Sequence, residues 1–230
     1  MTAIGTTRSR SRSGRQALAG VVLFAALPFA PCCVSVGEGT GAVRSDHLIA
    51  KGCWDDAYDL QPDFFAADPS EGSMDIRVQR GSDLIEVSDG VVVLVDDVEY
   101  VRAHLGEALP VTLPEGVAPP GIPVGALCGD TPCSDAKVHL TLYLLESCHT
   151  QNLVFYATSG TMTFDELFSG DPNEKDAAEK LTVARFDVMV GDPRDATKGA
   201  DGTYTIPNES QIKGYFRFFF QRGQPAQPFP

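Results

Sequence analysis

Alternation of apolar and polar positions dominates the chain. Met74, Ile76 and Val78 alternate with Asp75, Arg77 and Gln79, the period-2 signature of a half-buried strand. Within 137–146, Val138, Leu140, Leu142 and Leu144 alternate with His139, Thr141, Tyr143 and Leu145. Residues 181–190 place Ala184, Phe186, Val188 and Val190 on one side. Near the C-terminus, Ile212, Gly214, Phe216, Phe218 and Phe220 alternate with Lys213, Tyr215, Arg217, Phe219 and Gln221. Aromatics on both sides predict a strand central in its sheet, because burying one Phe contributes about 1.5–3 kcal/mol. Weaker strand patterns cover 52–60, with Trp54, Asp56, Tyr58 and Leu60 on one face, and 152–158 and 161–164. Ser159-Gly160 between the last two predicts a bulge or tight bend. Residues 84–87 and 91–95 flank Ser88-Asp89-Gly90 and read as a β-hairpin, with Gly90 supplying a positive φ.

Helical spacing is rare. Asp96-Asp97 precedes Val98, Val101 and Leu105, which predicts a short helix over 97–105, capped by Asp and ended by Gly106. Single helical turns are expected at 165–168 and 176–179. Five prolines within 107–127 predict an extended surface connection, since Pro cannot donate to a ladder. Residues 224–230 read as a Pro-rich tail. The expected fold is mainly β: an antiparallel β-sandwich with one or two short helices, in one domain over 51–223.

The N-terminus follows another rule. Arg8, Arg10, Arg12 and Arg15 precede an apolar run over 17–30, which is short of the ~20 residues that a membrane-spanning helix needs. A basic leader and a short apolar core make residues 1–33 a signal peptide or lipoprotein signal. Cys32 and Cys33 are candidates for lipid attachment, with Pro31 standing where a lipoprotein signal prefers a small residue. Cleavage near Cys33-Val34-Ser35 and release is the alternative. The Gly-containing stretch after it predicts a flexible tether over 34–50.

Charge narrows the partners. The net charge is -13, and removing the leader leaves 14 basic against 31 acidic residues. Such a surface repels phosphate backbones, so no nucleic acid partner is expected. It also repels an anionic membrane face, so contact with a membrane is expected only through an N-terminal lipid anchor.

Export makes disulfides the default use of Cys53, Cys128, Cys133 and Cys148. Four cysteines allow three connectivities. The favoured one closes the turn with Cys128–Cys133 and staples the domain with Cys53–Cys148. A zinc site from Cys128, Cys133, Cys148 and His149 is the rival, but its spacing is not that of a finger or ribbon. His47, His104, His139 and His149 sit in no metal or protease motif, and no nucleotide-binding loop or serine elbow is present, so no cofactor is expected. Asp55-Asp56, Asp96-Asp97, Asp171/Glu174/Asp176 and Asp192/Asp195/Asp201 could serve a glycosidase or bind calcium, although loop Asp residues usually cap turns. Trp54, Tyr58, Phe64 and Phe65 suggest either a sugar-stacking platform or core packing.

With Cys53, residues 58–65, Cys148-His149, Phe186, Asp192-Pro193-Arg194 and 214–218 set side by side, the chain resembles exported proteins of myxobacteria that are often called lipoproteins. The resemblance implies an envelope protein and carries over no catalytic residue. The expected function is therefore an exported envelope protein with a binding or structural role. Its partner would be an envelope protein or a polysaccharide. It would lie at the outer membrane or in the periplasm if lipid-anchored, or be secreted. A carboxylate-based hydrolase and a calcium-dependent adhesion module are the alternatives.

Overall fold

A computed structural model of the chain describes residues 39–81, 88–128, 132–148 and 153–220. These residues form β1 (Gly39–Ala50), β2 (Trp54–Leu60), β3 (Phe64–Ser70), β4 (Ser73–Gln79), β5 (Asp89–Val95), α1 (Val98–Ala103), β6 (Leu109–Pro110), β7 (Val138–Leu144), β8 (Leu153–Glu166), β9 (Leu181–Gly191), β10 (Thr197–Lys198), β11 (Tyr204–Thr205) and β12 (Ser210–Phe219). One sheet runs in the order β2-β1-β12-β9-β8-β7-β5-β4-β3, with β6 added to β8. All of its strand pairings are antiparallel. Strands β10 and β11 make a separate hairpin.

The connection between β2 and β3 dictates the shape. Eight antiparallel steps separate these two edge strands, so they run in the same sense. Only residues 61–63 join them. From Leu60 to Phe64 an extended chain reaches at most about 14 Å. Eight strand spacings laid flat would measure roughly 38 Å. The sheet therefore curls on itself, and the result is a half-barrel. This replaces the expected sandwich of two sheets. Alternation specifies that each strand has a buried face, but not whether that face closes on a second sheet or on its own.

The inner face holds one continuous core. Phe65 stacks on Phe218 with ring centroids 6.0 Å apart. Gly39 and Gly41 make room for it: a Cβ at Gly39 would lie 2.6 Å from the Phe65 ring. At Gly214 a Cβ would meet the Phe186 ring and the Ala42 carbonyl, so the Phe186 ring fills the space on the neighbouring strand.

Several expectations hold. Asp97 caps α1, its carboxylate accepting from the Tyr100 amide at 2.9 Å, and Gly106 follows with φ of 81°. Strand β8 bulges between Ala157 and Ser159, and Gly160 has φ of 116°. Ala177–Glu179 forms a 3-10 turn. Strand β12 is interior, between β1 and β9.

Others are corrected. Residues 39–50 are not a tether: they form β1, paired on both sides, with Val43, Leu48 and Ala50 buried. The glycines that suggested flexibility serve close packing. Asp89 and Gly90 belong to β5 rather than a turn, and Gly90 admits the Tyr143 ring beside it. Residues 84–87 of the expected hairpin lie outside the described residues. No helical turn forms at 165–168, because β8 continues to Glu166.

The Pro-rich connection is not a surface strap. Strand β6 pairs with β8 where β8 leaves β7, and Val111 bridges Val138. Leu113, Leu127, Cys128, Cys133 and Ile206 then build a second small core against Tyr156 and Tyr204. The signal segment, Cys32, Cys33, His149 and the Pro-rich tail lie outside the described residues.

Cys53 pairs with Cys148 and Cys128 with Cys133, with Cα separations of 5.7 Å and 5.5 Å. The two loops span 95 and 5 residues. On chain-entropy grounds they contribute about 4.7 and about 2 kcal/mol respectively. A Cys53→Ser/Cys148→Ser variant should therefore lose roughly twice the stability of Cys128→Ser/Cys133→Ser in urea unfolding. Gly214→Ala should cost about 1–3 kcal/mol in the same assay, through its clash with Phe186.

Candidate functional site

The residues singled out for chemistry do not converge. Asp97 caps α1, while Asp96 faces His139, Oδ2 to Nε2 at 3.1 Å. The other ring nitrogen of His139 faces the Thr112 carbonyl at 2.8 Å, and the ring is buried beneath the Pro-rich segment. His104 stacks on Tyr100 at the end of α1, with centroids 4.2 Å apart. His47 lies on β1, with Nε2 2.6 Å from Asp55. Asp192 accepts from the amide and guanidinium of Arg194. Asp171 accepts from the Asn173 amide. Asp201 accepts from the amide and hydroxyl of Thr203, bonds that hold its carboxyl below the usual range. Among the described residues no cluster of three or more His, Cys, Asp or Glu could hold a metal ion. The cysteine pairing also separates Cys148 from Cys128 and Cys133, so the sulfurs of the rival zinc site are divided between two disulfides.

Trp54, Tyr58, Phe64 and Phe65 do not form a platform. Tyr58, Phe64 and Phe65 are buried, and Trp54 meets Tyr58 edge-on at 5.7 Å. Tyr58 belongs to a buried polar seam. Asp89 is fully buried on β5. Its carboxylate accepts from the Glu146 and Ser147 amides, both at 3.0 Å, from the Tyr58 hydroxyl at 3.2 Å, and from the Ser147 hydroxyl. Nearby, the Tyr143 hydroxyl donates to Gln79 Oε1 at 2.6 Å. These donors satisfy a buried charge that would otherwise be costly, and they leave it enclosed. The seam is structural.

Accessible chemistry lies elsewhere, on the outer face of β1, β12 and β9. Each of these strands has a neighbour on both sides, so their backbone groups are committed to the ladder. Alternation sends Arg44 and Asp46, then Gln211, Lys213 and Tyr215, then Arg185 and Asp187 outward. A groove of ≈ 660 Å³ runs across this face, within the ~300–1,000 Å³ typical of ligand pockets. Tyr215 is 52% exposed within it. Register places Tyr215 between Ala42 and Arg185, and Lys213 between Arg44 and Asp187. Each cation has a carboxylate on an adjacent strand: Arg44 with Asp59 at 3.3 Å, Lys213 with Asp187 at 3.2 Å, and Arg185 with Asp165 at 2.6 Å. Gln211 also donates to Asp187 at 2.6 Å.

This face escaped sequence reasoning. The signal was present, since Lys213, Tyr215 and Arg217 alternate with the apolar residues of β12. In the sequence Tyr215 reads as one of the aromatics of a central strand, and Arg44 falls within the expected tether. No protein family, curated protein or solved structure matches the chain.

Burial, and behind it the charge of Asp89, pushes the Tyr58 phenol well above its ordinary value, and burial does the same to Tyr143. Both hold their protons more tightly folded than unfolded. As pH rises through about 10, the unfolded chain releases its phenol protons first, so stability should fall from there upward. Urea midpoints between neutral pH and strongly alkaline pH should show this decline. Tyr58→Phe and Tyr143→Phe should each flatten it.

Proposed function

We propose that this chain is an exported cell-envelope binding module, without catalysis of its own, that engages its partner through the outer face of β1, β12 and β9. The observation that carries this reading is the open groove holding a half-exposed Tyr215 among Arg44, Arg185 and Lys213. The groove rests on strands paired on both sides, the rigid support that a recognition surface needs. Export through residues 1–33 fits two disulfides, which persist in oxidising compartments. Lipid attachment at Cys32 or Cys33 would hold the module at the envelope, and cleavage beyond them would release it. An intact mass of the mature protein distinguishes the two.

A hydrolase reading is weaker. Glycoside hydrolysis takes two converging carboxyl groups, and this groove is lined by one, Asp46, beside a His47 that is tied to Asp55. A calcium-dependent reading is weaker too, because Asp171, Asp192 and Asp201 are engaged in their own turns.

The test is co-sedimentation of purified mature protein with the insoluble envelope fraction of the producing cells. Wild-type protein should sediment. Tyr215→Ala/Arg185→Gln should lose roughly tenfold in apparent affinity, about 1.4 kcal/mol. Lys137→Gln, away from the groove, should behave as wild type. Equal sedimentation of the Tyr215 variant, or none by wild type, would overturn the assignment.

A further inference from the structure

From the charge order across the groove we infer that its ligand is an acidic polysaccharide, one whose sugar rings carry carboxylates. The inference rests on the binding-module reading above and names what the module holds.

The row through Lys213 runs Asp59, Arg44, Lys213, Asp187 across β2, β1, β12 and β9. Two cations therefore stand directly opposite each other at the centre, flanked by carboxylates outside. Like charges in directly opposed cross-strand positions destabilise a sheet. A second like-charged pair, Asp68 opposite Asp75, differs in kind. It is a pair of carboxylates: burial first, and then the Asp68 charge, raises the Asp75 pKa. Arg44 and Lys213 are cations, each held on its outer side by a carboxylate, Asp59 and Asp187 respectively. An anion seated between them would meet both cations at once and gain charge-assisted hydrogen bonds.

The neighbouring row supplies the rest. It runs Ala42, Tyr215, Arg185 and Thr163 across β1, β12, β9 and β8. Ala42 is small, and the Tyr215 ring beside it is half-exposed. A sugar ring has apolar faces and polar edges. It can lie on Tyr215 while its hydroxyls meet Arg185 and Gln211 and its carboxylate meets Arg44 and Lys213. An acidic peptide fits this surface less well. Strand addition needs a free sheet edge, and β1, β12 and β9 have none. The net charge of -13 does not forbid an anionic ligand, because charges beyond about 8 Å are largely screened at physiological salt.

The experiment titrates the mature protein with hexagalacturonate by calorimetry. The same hexamer with its carboxylates methyl-esterified, a neutral glucose hexamer and a sulfated oligosaccharide serve as comparisons. Hexagalacturonate should bind at least roughly tenfold more tightly than its methyl ester, and Arg44→Gln/Lys213→Gln should abolish that preference. Tyr215→Ala should weaken both uronate forms roughly tenfold. The charge variants break only exposed ion pairs, so their thermal midpoints should stay near wild type. Equal binding of ester and acid, no binding of hexagalacturonate, or preference for the sulfated probe would overturn the ligand class. If that happens while envelope co-sedimentation still depends on Tyr215, the binding-module reading stands and only the acidic glycan fails.

Discussion

Three residues, 61–63, set the architecture. They join two edge strands that lie eight ladder steps apart and run in the same sense, so the sheet has no flat solution. Curling brings the start of β3 over the start of β1, where Phe65 stacks on Phe218 against Gly39 and Gly41. The same closure draws the β1–β2 turn towards the end of β7, where Cys53 meets Cys148. It also carries Tyr58 of β2 to Asp89 of β5. The short link, the ring stack, the disulfide and the polar seam thus act on one joint.

The polar seam contributes selectivity to that joint. A fully buried carboxylate costs several kcal/mol unless its lone pairs are filled, and Asp89 fills them from two separate segments, β2 and the residues after β7. A one-residue slip of β2 would turn the Tyr58 hydroxyl outward and strand the carboxylate. The same slip would turn the buried Leu60 outward, so packing and seam penalise one error together. The core supplies the driving force, and the seam adds to the penalty for the wrong register.

Legibility in the sequence followed the physics of each element. Strands β4, β7, β9 and β12 were readable because a period of two is intrinsic to a half-buried strand, and α1 was readable from Asp97 and Gly106. Strand β1 was not, because Gly39 and Gly41 suggest freedom when considered locally. Their use is to let the Phe65 ring approach from a strand distant in the sheet. Gly90 misled in the same way: it serves the Tyr143 ring across the ladder rather than a turn. The prolines of 107–127 exclude a long strand but not burial, and Leu113 and Leu127 are buried through the second core. The groove was half legible. Alternation placed Lys213 and Tyr215 on one side of β12, but only the pairing of β12 with β1 brings Arg44 beside them.

The covered and bare halves of the sheet explain each other. On β7 and β8 the outer face is roofed by the Pro-rich segment, which buries His139 and packs around Tyr156. On β1, β12 and β9 no described segment plays that part, and Arg44, Lys213, Arg185 and Asp187 point outward there. The exposed ion pairs there add little stability, of the order of 0–1 kcal/mol each. Their carboxylates do something else: Asp59, Asp165 and Asp187 restrain the side chains of Arg44, Arg185 and Lys213 from neighbouring strands. Restrained cations lose less entropy on meeting an anion than free ones. The price in the unbound state is that two of them, Arg44 and Lys213, face each other across the ladder. Asp59 and Asp187 offset that repulsion from the outer sides, so the sheet tolerates two cations side by side on strands that hold their register.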